Sequence, residues 1–419
     1  MGNDAIDQHI VVADEHVEMV LDLLGGGAAV EDTDDRLGLT LLRLDDVDAL
    51  ARSLEQARQE QPGAREPEHV YGSLDKVLGN LRAITQARYA GWSPTMGKNR
   101  ILAGVQFKPY TSAGGFTRPT KPEKLPGEYP SVARSSGSRV RVGILDTRLD
   151  PHTRLGGRYY TDPDALTRIE PHKQRQWWEG HATFIAGIVL SLAPAADLDV
   201  RTALIPGDGE DGPGAGWTMP LWTLAQRLAD YRDSGVQVLN LSLGCSTSDG
   251  QPPMVLERAI AQLTPTMAVV AAAGNHGTNE LDPAEREEQA MPGRAAPLFP
   301  AALDGVLAVG ALDAAGGYAS FNPVDGSDAS KPAPWIDVFA PGVELVSTYL
   351  GESGDQQVQV PKPGTKPVEY ETVSFEGYAN WSGTSFASGY VTGLVADRIA
   401  GGMTPQQAVQ AVRKDLGRP

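Results

Sequence analysis

Long runs of apolar residues, without the alternation of a half-exposed strand, dominate the chain from about residue 139 onwards. They are VRVGILD (140–146), LDVRTAL (198–204), VQVLNLSLG (236–244), MAVVAAAGN (267–275) and GVLAVGAL (305–312). Stretches with helical spacing lie between several of them, at 183–192 and 222–234. Continuous apolar strands separated by helices are typical of a parallel sheet covered on both faces. We therefore predict an α/β domain with a parallel β-sheet flanked by helices on both faces, whose chemistry collects at the carboxyl ends of the strands.

A different pattern precedes this domain. HIVVA (9–13) and residues 37–44 predict strands, and apolar residues at helical spacing predict helices at 15–24 and 47–54. A run of three glycines ends the first helix. This β-α-β-α order predicts a small α+β open-faced sandwich. A helix and then an extended linker over 89–130 are expected to follow it.

Charge also divides the chain. Residues 1–60 carry 15 acidic and 4 basic residues, a net charge of −11, whereas residues 61–130 carry 5 acidic and 10 basic residues, a net charge of +5. The whole chain of 419 residues has a net charge of −17, so the remainder holds −11. This change predicts a small acidic α+β module (1–60), a basic helix and extended linker (61–130), and the main domain (131–419).

Composition excludes several kinds of protein. A hydrophobic fraction of 41% excludes a wholly disordered chain, and the negative net charge disfavours binding to nucleic acid. The single cysteine, Cys245, excludes an internal disulfide and a zinc site built on several thiolates. The sequence shows no signal peptide at MGNDAIDQHI and no apolar run long enough to span a membrane. We therefore expect a cytoplasmic protein that binds neither nucleic acid nor membrane.

Four polar residues end or open the predicted elements and are candidates for chemistry. Asp146 and Asn275 end apolar strands, as Asn240 also does, while His181 and Ser385 stand at helix starts in GHATFIAGIV and SGTSFASGYV. Each has a structural alternative. An acid at a strand end caps the next turn or binds a metal, and a histidine or serine at a helix start is commonly an N-cap. Taken singly, none of the four decides the function.

The order of these segments resembles the subtilisin-like serine proteases (subtilases) over about two thirds of the chain, 139–416. Asp146, His181, Asn275 and Ser385 follow one another at intervals of 35, 94 and 110 residues. VGILDTRLDPHTRL is similar to the aspartate segment of that family, and GHATFIAGIV to its histidine segment. NLSLG is similar to its substrate-binding strand, AAAGN to its oxyanion segment and GTSFAS to its serine segment. Five such segments in the family's order make the resemblance specific.

The resemblance implies a serine endopeptidase that acts on a polypeptide. Ser385 would attack the scissile carbonyl, His181 would carry the proton and Asp146 would orient the imidazole. The side chain of Asn275 and the backbone amide of Ser385 would hold the oxyanion. Two walls would bind the substrate as an added strand: Ser242, Leu243 and Gly244 on one side, and Ala272, Ala273 and Gly274 on the other.

Four positions depart from the family's pattern. Arg148 follows the aspartate where glycine is usual, Ala182 and Phe184 lie in the histidine segment, and Gly389 replaces a proline after the serine. None removes a reacting group, although Arg148 adds a cation near Asp146. The alternative function is a catalytically silent scaffold of the same fold that holds a peptide or regulates a partner. Retention of all four polar groups together favours the enzyme.

Three insertions predict a protease that is selective for its substrate, and the N-terminal region predicts control of its activity. Residues 206–217, 278–297 and 351–378 are long insertions around the predicted cleft, the last with a hairpin pattern, and would narrow the choice of substrate. The N-terminal module is either a prodomain, which would make the protein a zymogen, or a permanent module that binds a regulatory protein or keeps the protease latent. The resemblance makes calcium a candidate ligand without an assignable site, because the acidic runs at 208–211 and 285–288 are typical of solvated loops. No other cofactor is expected.

Overall fold

The computed structural model describes residues 5–68, 70, 72–104, 118–125, 139–161, 174–206, 217–247, 249–278, 286, 291–352, 354, 356–362, 365 and 369–417. Two compact units divide the chain. The first comprises Met1–Ile101, Pro220–Asp230 and Thr247–Ala259, and the second comprises Leu102–Met219, Tyr231–Ser246 and Ile260–Pro419. The first unit thus combines most of the N-terminal region with two segments of the region that resembles a protease.

The N-terminal part of the first unit is a small antiparallel sheet with helices. Its elements are β1 (Ala5–Ala13), α1 (Val17–Leu23), β2 (Ala28–Asp34), β3 (Leu39–Leu44), α2 (Val47–Glu60), α3 (Ser73–Arg88) and β4 (Met96–Gly104). The strand order is β2-β3-β1-β4. Apolar side chains from the helices and from β1 and β3, among them Val12, Leu42, Leu54 and Leu81, share one core. Burial of these side chains is what holds so small a sheet together.

Two strands of this sheet lie where the sequence pattern gave no sign of them. Five of the seven residues of β2 are exposed, so the strand has no apolar alternation to reveal it. Strand β4 lies in the stretch expected to be an extended linker and pairs antiparallel with β1, with Val11 opposite Gly97. The predictions of strands at 9–13 and 37–44, and of helices at 15–24 and 47–54, are confirmed within a few residues at their ends.

Helix α5 (Leu221–Ala229) belongs to the first unit and anchors β2 there. The indole Nε1 of Trp222 donates a hydrogen bond to Asp32 Oδ2 at 2.9 Å. Arg36, in the turn that follows β2, forms an ion pair with Asp230 at 2.5 Å. The acidic N-terminal module therefore makes polar contacts with a helix that belongs, by sequence, to the protease-like region.

The rest of the chain forms the parallel sheet and its helices. The remaining elements are β5 (Arg141–Asp146), β6 (Tyr159–Thr161), β7 (Gln174–Gln176), α4 (His181–Leu192), β8 (Asp197–Thr202), β9 (Ile205–Pro206), β10 (Trp217–Pro220), β11 (Val238–Leu241), β12 (Leu243–Gly244), α6 (Met254–Leu263), β13 (Ala268–Ala272), β14 (Val306–Leu312), β15 (Val338–Pro341), β16 (Leu345–Thr348), β17 (Gln357–Pro361), β18 (Tyr370–Val373), β19 (Tyr378–Trp381), α7 (Thr384–Ala400) and α8 (Pro405–Leu416). Seven strands pair in parallel in the order β15-β14-β13-β11-β5-β8-β6. The predicted α/β class, with a parallel sheet flanked by helices, is confirmed.

Helices α4 and α7 pack together in the core of the second unit. The rings of Phe184 and Phe386 lie 4.5 Å apart between their centroids. Gly389 lets the helices approach closely, because a Cβ built at this position would lie 3.3 Å from Ile185 Cγ2. This packing brings the start of α4 near the start of α7, where His181 and Ser385 lie.

The insertion at 351–378 contains the expected hairpin. Strands β17 and β18 pair antiparallel, with Val358 opposite Val373, and β7 adds to β17 in parallel. The insertions at 206–217 and 278–297 lie largely outside the described residues. None of the helices in the described ranges is long and apolar enough to cross a membrane.

Candidate active site

Strand β5 and helix α4 bring Asp146 and His181 together. Asp146 is the last residue of β5, and His181 is the first residue of α4. The imidazole Nδ1 lies 2.7 Å from Asp146 Oδ1, which also accepts the backbone N–H of Thr147 at 2.7 Å. Because a carboxylate only accepts, Nδ1 carries the proton of a neutral imidazole and Nε2 is left as the acceptor. Both side chains are buried.

Helix α7 presents Ser385 in its first turn. Since Ser385 is the second residue of the helix, its backbone N–H has no acceptor within the helix and lies at the positive end of the helix dipole. The ring of the next residue, Phe386, lies 5.4 Å from the His181 imidazole between centroids. Packing thus places the start of α7 beside the Asp146–His181 pair.

Two buried polar atoms at this junction, His181 Nε2 and Ser385 Oγ, have no hydrogen-bond partner among the described residues. Buried polar groups are nearly always paired, so such exceptions need an explanation, and a catalytic role is one. A hydroxyl and a neutral imidazole nitrogen are the donor and acceptor that nucleophilic catalysis needs, and their hydrogen bond commonly tightens only with substrate bound. The groups at this junction are therefore those that acyl transfer requires.

Asn275 lies three residues beyond the end of β13 and is oriented by Thr384. Its Oδ1 accepts hydrogen bonds from the backbone N–H and from Oγ1 of Thr384, each at 3.0 Å. The Thr384 hydroxyl in turn accepts the backbone N–H of Gly274 at 3.0 Å. With Oδ1 held in this way, the amide nitrogen of Asn275 is directed away from Thr384 as the donor end of the side chain.

The two expected walls are both formed by buried backbone, but Ser242 contributes differently from its neighbours. Its hydroxyl bonds to Asn240 Oδ1 at 3.0 Å and to the carbonyl oxygen of Ser385 at 3.1 Å, so it faces the base of α7. Leu243 and Gly244 form the short strand β12. The residues of the opposite wall, Ala272, Ala273 and Gly274, follow directly along and after β13 and are buried.

The first wall already carries a strand of this chain. The end of β4 pairs antiparallel with β12 within the second unit, with Gly104 opposite Leu243 and Ala103 opposite Gly244. Main-chain pairing of this kind is how an extended peptide adds to an exposed strand edge. Residues 103–104 of the chain therefore pair with the backbone of β12, which we predicted from the sequence to bind the substrate.

Leu298 closes the space between the two walls. A Cβ built on Gly244 would lie 2.7 Å from Leu298 Cγ, and one built on Gly274 would lie 3.0 Å from Leu298 Cδ2. Leu298 is fully buried and packs with Ala272 and Trp335. The close approach of Leu298 requires glycine at 244, whereas at 274 a Cβ would meet His276 Nδ1 first, at 2.7 Å, and the φ of +104° also favours glycine. Leu298 thus lies against both walls.

The loop after Asn275 is fixed by buried polar contacts. His276 Nε2 donates to the carbonyl oxygen of Ala296 at 2.9 Å, and Arg294 Nε donates to that of Gly277 at 2.8 Å. Burial, with the charge of Arg286 nearby, lowers the pKa of His276 to about 4. The imidazole next to Asn275 is therefore neutral near pH 7.

The departures from the expected family pattern leave these contacts in place. Arg148 is exposed, whereas Asp146 is buried, so solvent screens the added cation. The backbone N–H of Ala182 donates to Thr147 Oγ1 at 2.9 Å. Phe184 packs in an edge-to-face arrangement on Trp381. No departure removes a polar contact of the site described above.

Two residues of the site, Thr384 and Leu298, were not among the sequence candidates, and a third, Asn240, was predicted only as the end of a strand. Asn240 Nδ2 donates to Ser388 Oγ at 3.1 Å and ties β11 to α7, Thr384 orients Asn275, and Leu298 fills the cleft. Asn240 had a signal in the sequence, because a polar residue within a buried strand must find a partner. The other two had none, since their roles depend on contacts across the fold.

No group of three or more possible metal ligands occurs among the described residues. The acidic run at 208–211 lies outside them, as do the acidic residues of the run at 285–288. No step of the chemistry is assigned to a calcium ion.

A model of the subtilase family matches residues 137–414. Subtilisin BL of Lederbergia lenta is 30% identical over 274 residues, which cover 62% of this chain and 76% of that protein. M-protease of Shouchella clausii (strain KSM-K16) is 29% identical over 274 residues, 62% of this chain and 54% of that protein. The chain thus spans about half the length of M-protease.

A solved structure extends the similarity to the N-terminal region. The crystal structure of fervidolysin from Fervidobacterium pennivorans, a keratinolytic enzyme related to subtilisin, aligns with 98% of this chain and 57% of its own. Its TM-score is 0.52 and its sequence identity 16%. At this identity the likeness concerns the fold alone.

Proposed function

The chain belongs to the subtilase family of serine endopeptidases, and from that premise we propose that Ser385 is its nucleophile, His181 its general base and Asp146 the group that orients the base. The observation that carries the proposal is the buried junction of a carboxylate-bound imidazole with a helix-start serine, where His181 Nε2 and Ser385 Oγ have no partner among the described residues. Polypeptide is the substrate class of such an enzyme.

The reaction would proceed in two acyl-transfer steps. Ser385 Oγ attacks the scissile carbonyl carbon while His181 Nε2 takes the hydroxyl proton, and the same proton then passes to the leaving amine as the peptide bond breaks. Asp146 stabilises the imidazolium formed in between. Water, activated by the same imidazole, attacks the acyl-enzyme and releases the acid. The backbone N–H of Ser385 and the Asn275 side chain donate to the oxyanion at each step.

Selectivity would come from the cleft. A substrate backbone would pair with Leu243 and Gly244, as the end of β4 does here, opposite the wall formed by Ala272–Gly274. Because Leu298 occupies the space between the walls, we propose that the residue before the scissile bond has a small side chain. The hairpin insertion narrows the choice further.

We also propose that the protein is latent, as a zymogen would be. In this proposal residues 1–60 act together with the helix and strand of 61–130 as one inhibitory module, and 131–419 form the protease domain. Two contacts support it: the end of β4 occupies β12, and Asp32 accepts hydrogen bonds from Trp222 and Gln226 of α5. Competition for β12 alone would block a substrate.

The nucleophile is tested with a fluorophosphonate probe and intact-mass measurement on the full-length chain. We expect one adduct on the wild type and none on Ser385→Ala. A folded wild type without an adduct, both before and after release of the N-terminal region, would favour the silent scaffold instead.

Latency is tested by weakening the contacts of the N-terminal module. Asp32→Ala with Arg36→Ala removes its bonds to α5 and to Asp230 directly after that helix, so we expect the probe to label Ser385 about fivefold faster. Asp35→Ala is the matched control, since Asp35 lies in the same turn, is exposed, and forms no side-chain hydrogen bond or ion pair among the described residues. Equal labelling rates for all three proteins would contradict latency.

The location and the partners remain predictions. We propose a cytoplasmic location, which cell fractionation tests. We propose that a regulatory protein binds through residues 1–130, which co-purification with and without that region tests. Calcium, which the family resemblance makes a candidate, is tested by the thermal midpoint with and without a chelator: a midpoint lowered by the chelator would indicate a bound cation.

A further inference from the structure

Thr120, in a second described stretch of the N-terminal region (118–125), pairs with the edge of strand β19. The backbone N–H of Thr120 donates to the carbonyl oxygen of Asn380 at 2.8 Å. In return, the backbone N–H of Asn380 donates to the carbonyl oxygen of Thr120, also at 2.8 Å. This is the reciprocal pair of an antiparallel bridge. The other edge of β19 is taken by β16. One bridge thus places Thr120 on the second edge of β19 within the second unit.

Two ion pairs accompany this bridge. Arg118 Nη1 donates to Glu371 Oε1 at 2.7 Å and to the carbonyl oxygen of Pro361 at 3.0 Å. Lys121 Nζ lies 3.9 Å from Glu376 Oε1. The acids belong to the hairpin β17–β18 and to the turn before β19, so the site offers backbone groups along one edge and negative charge beside it. A basic extended peptide has the matching chemistry.

The edge of β19 lies close to the reacting groups. Asn380 precedes Ser385 by five residues. The ring of Trp381, the residue after Asn380, lies 5.6 Å from the His181 imidazole between centroids. Along the chain, the end of β4 on β12 comes first and Thr120 on β19 follows. A substrate that runs in the same direction would therefore reach β19 with residues that lie after the scissile bond.

We propose that the edge of β19, with Glu371 and Glu376, is a second peptide-binding site that selects substrates carrying a basic residue on the C-terminal side of the scissile bond. Residues 118–121 of the chain occupy this site in the latent protein. The inference rests on the proposed protease function for its meaning, but the binding event itself needs no catalysis. A substrate must displace Arg118 and Thr120 to use the site, which couples selectivity to latency.

The test measures binding in trans to the full chain with Ser385→Ala, so that no hydrolysis interferes. The probe is a fluorescein-labelled peptide with the sequence RPTKPEKL of residues 118–125, followed by fluorescence anisotropy. In the host, Arg118→Glu with Thr120→Pro removes the ion pair and one backbone hydrogen bond of the resident segment. We expect this released host to bind the peptide at least fivefold more tightly than the host with the native segment.

Matched variants locate the site. Glu371→Gln in the released host should weaken peptide binding about fivefold, because it removes the carboxylate that attracts the arginine of the peptide without giving the resident segment a new ion pair. As a control, Lys124→Glu is introduced into the host with the native segment. It makes a charge change similar to Arg118→Glu at a residue without an ion pair among the described residues, so peptide binding should stay at the low level of that host. Arg118→Glu combined with Glu371→Arg restores the internal pair and should return binding to the low level of the native segment.

Two results would overturn the proposal. One is a released host, folded by circular dichroism, that binds the peptide no better than the native host. The other is binding that improves but is unaffected by Glu371→Gln, which would place the peptide elsewhere. Either result is independent of the fluorophosphonate adduct on Ser385, so failure of this site and failure of the proposed enzyme are distinguishable.

Discussion

The side-chain oxygen of Asn275 accepts two hydrogen bonds from Thr384, one from its backbone N–H and one from its hydroxyl, each at 3.0 Å. Asn275 follows a strand of the parallel sheet, whereas Thr384 opens the helix that carries Ser385. The contact therefore fixes the proposed oxyanion donor directly to the residue before the proposed nucleophile. Electrostatic stabilisation of a transition state depends on donors that are already oriented.

Thr384→Val tests this orientation. The valine keeps the volume but removes the hydroxyl, so the Asn275 amide loses one of two constraints and Gly274 N–H loses its acceptor. We expect kcat on a chromogenic peptide to fall about tenfold with KM little changed, a smaller loss than removal of the donor itself. Thr384→Ser keeps the hydroxyl and should restore kcat. A valine variant with wild-type kcat would show that the hydroxyl is not needed.

Leu298→Ala should widen the substrate range. Removal of this side chain opens the space between Gly244 and Gly274, so we expect kcat/KM for phenylalanine relative to alanine before the scissile bond to rise about tenfold. A peptide series measured at fixed enzyme concentration checks the ratio. Leu303→Ala deletes the same atoms from a buried position outside the walls and should leave the ratio unchanged. A parallel rise in both variants would point to general loosening.

Stability should depend on pH through His276. Its pKa is lowered to about 4 in the folded state by burial, against about 6.5 when unfolded, so the unfolded chain binds more protons between these values. The free energy of unfolding should therefore fall on acidification from about pH 6.5 to about pH 4, with a His276 contribution on the order of 3 kcal/mol.

The His276 contribution is measured as a difference. Urea unfolding of Ser385→Ala with and without His276→Gln, across this pH range, removes the contribution of carboxylates common to both. The two curves should converge as the pH falls. Curves that stay parallel would show that His276 does not lose its lowered pKa on unfolding.

Gly180→Ala should destabilise the fold at the residue before His181. A Cβ there would collide with the ring of Tyr349, which is fully buried and cannot move away, so we expect the free energy of unfolding to fall by about 2 kcal/mol or more. Gly293→Ala is the matched control, because its Cβ would meet nothing within 4 Å. Equal unfolding midpoints in urea would contradict the steric argument.

Local pattern was enough to predict the parallel sheet and the helices that carry His181 and Ser385. Each of these elements has its own continuous apolar run or helical spacing. Because its apolar side chains must be buried in any fold of the chain, this local pattern is enough to predict the element. Strand β2 escaped prediction for the converse reason. Its residues are mostly exposed, and backbone pairing with β3 makes it a strand without any apolar signal.

By itself, the sequence determined which residue types stand at which element ends: Asp146 at the end of a strand, Asn275 after a strand, and His181 and Ser385 at helix starts. Tertiary structure alone decided how the cleft is filled, because Leu298 reaches the walls from a distant loop and the end of β4 reaches β12 from the N-terminal region. Such contacts join positions up to about 140 residues apart, and no local periodicity records them. They follow only from the packing of the folded chain, in which the interior space must be filled and the backbone N–H and C=O groups must find hydrogen-bond partners at the same time.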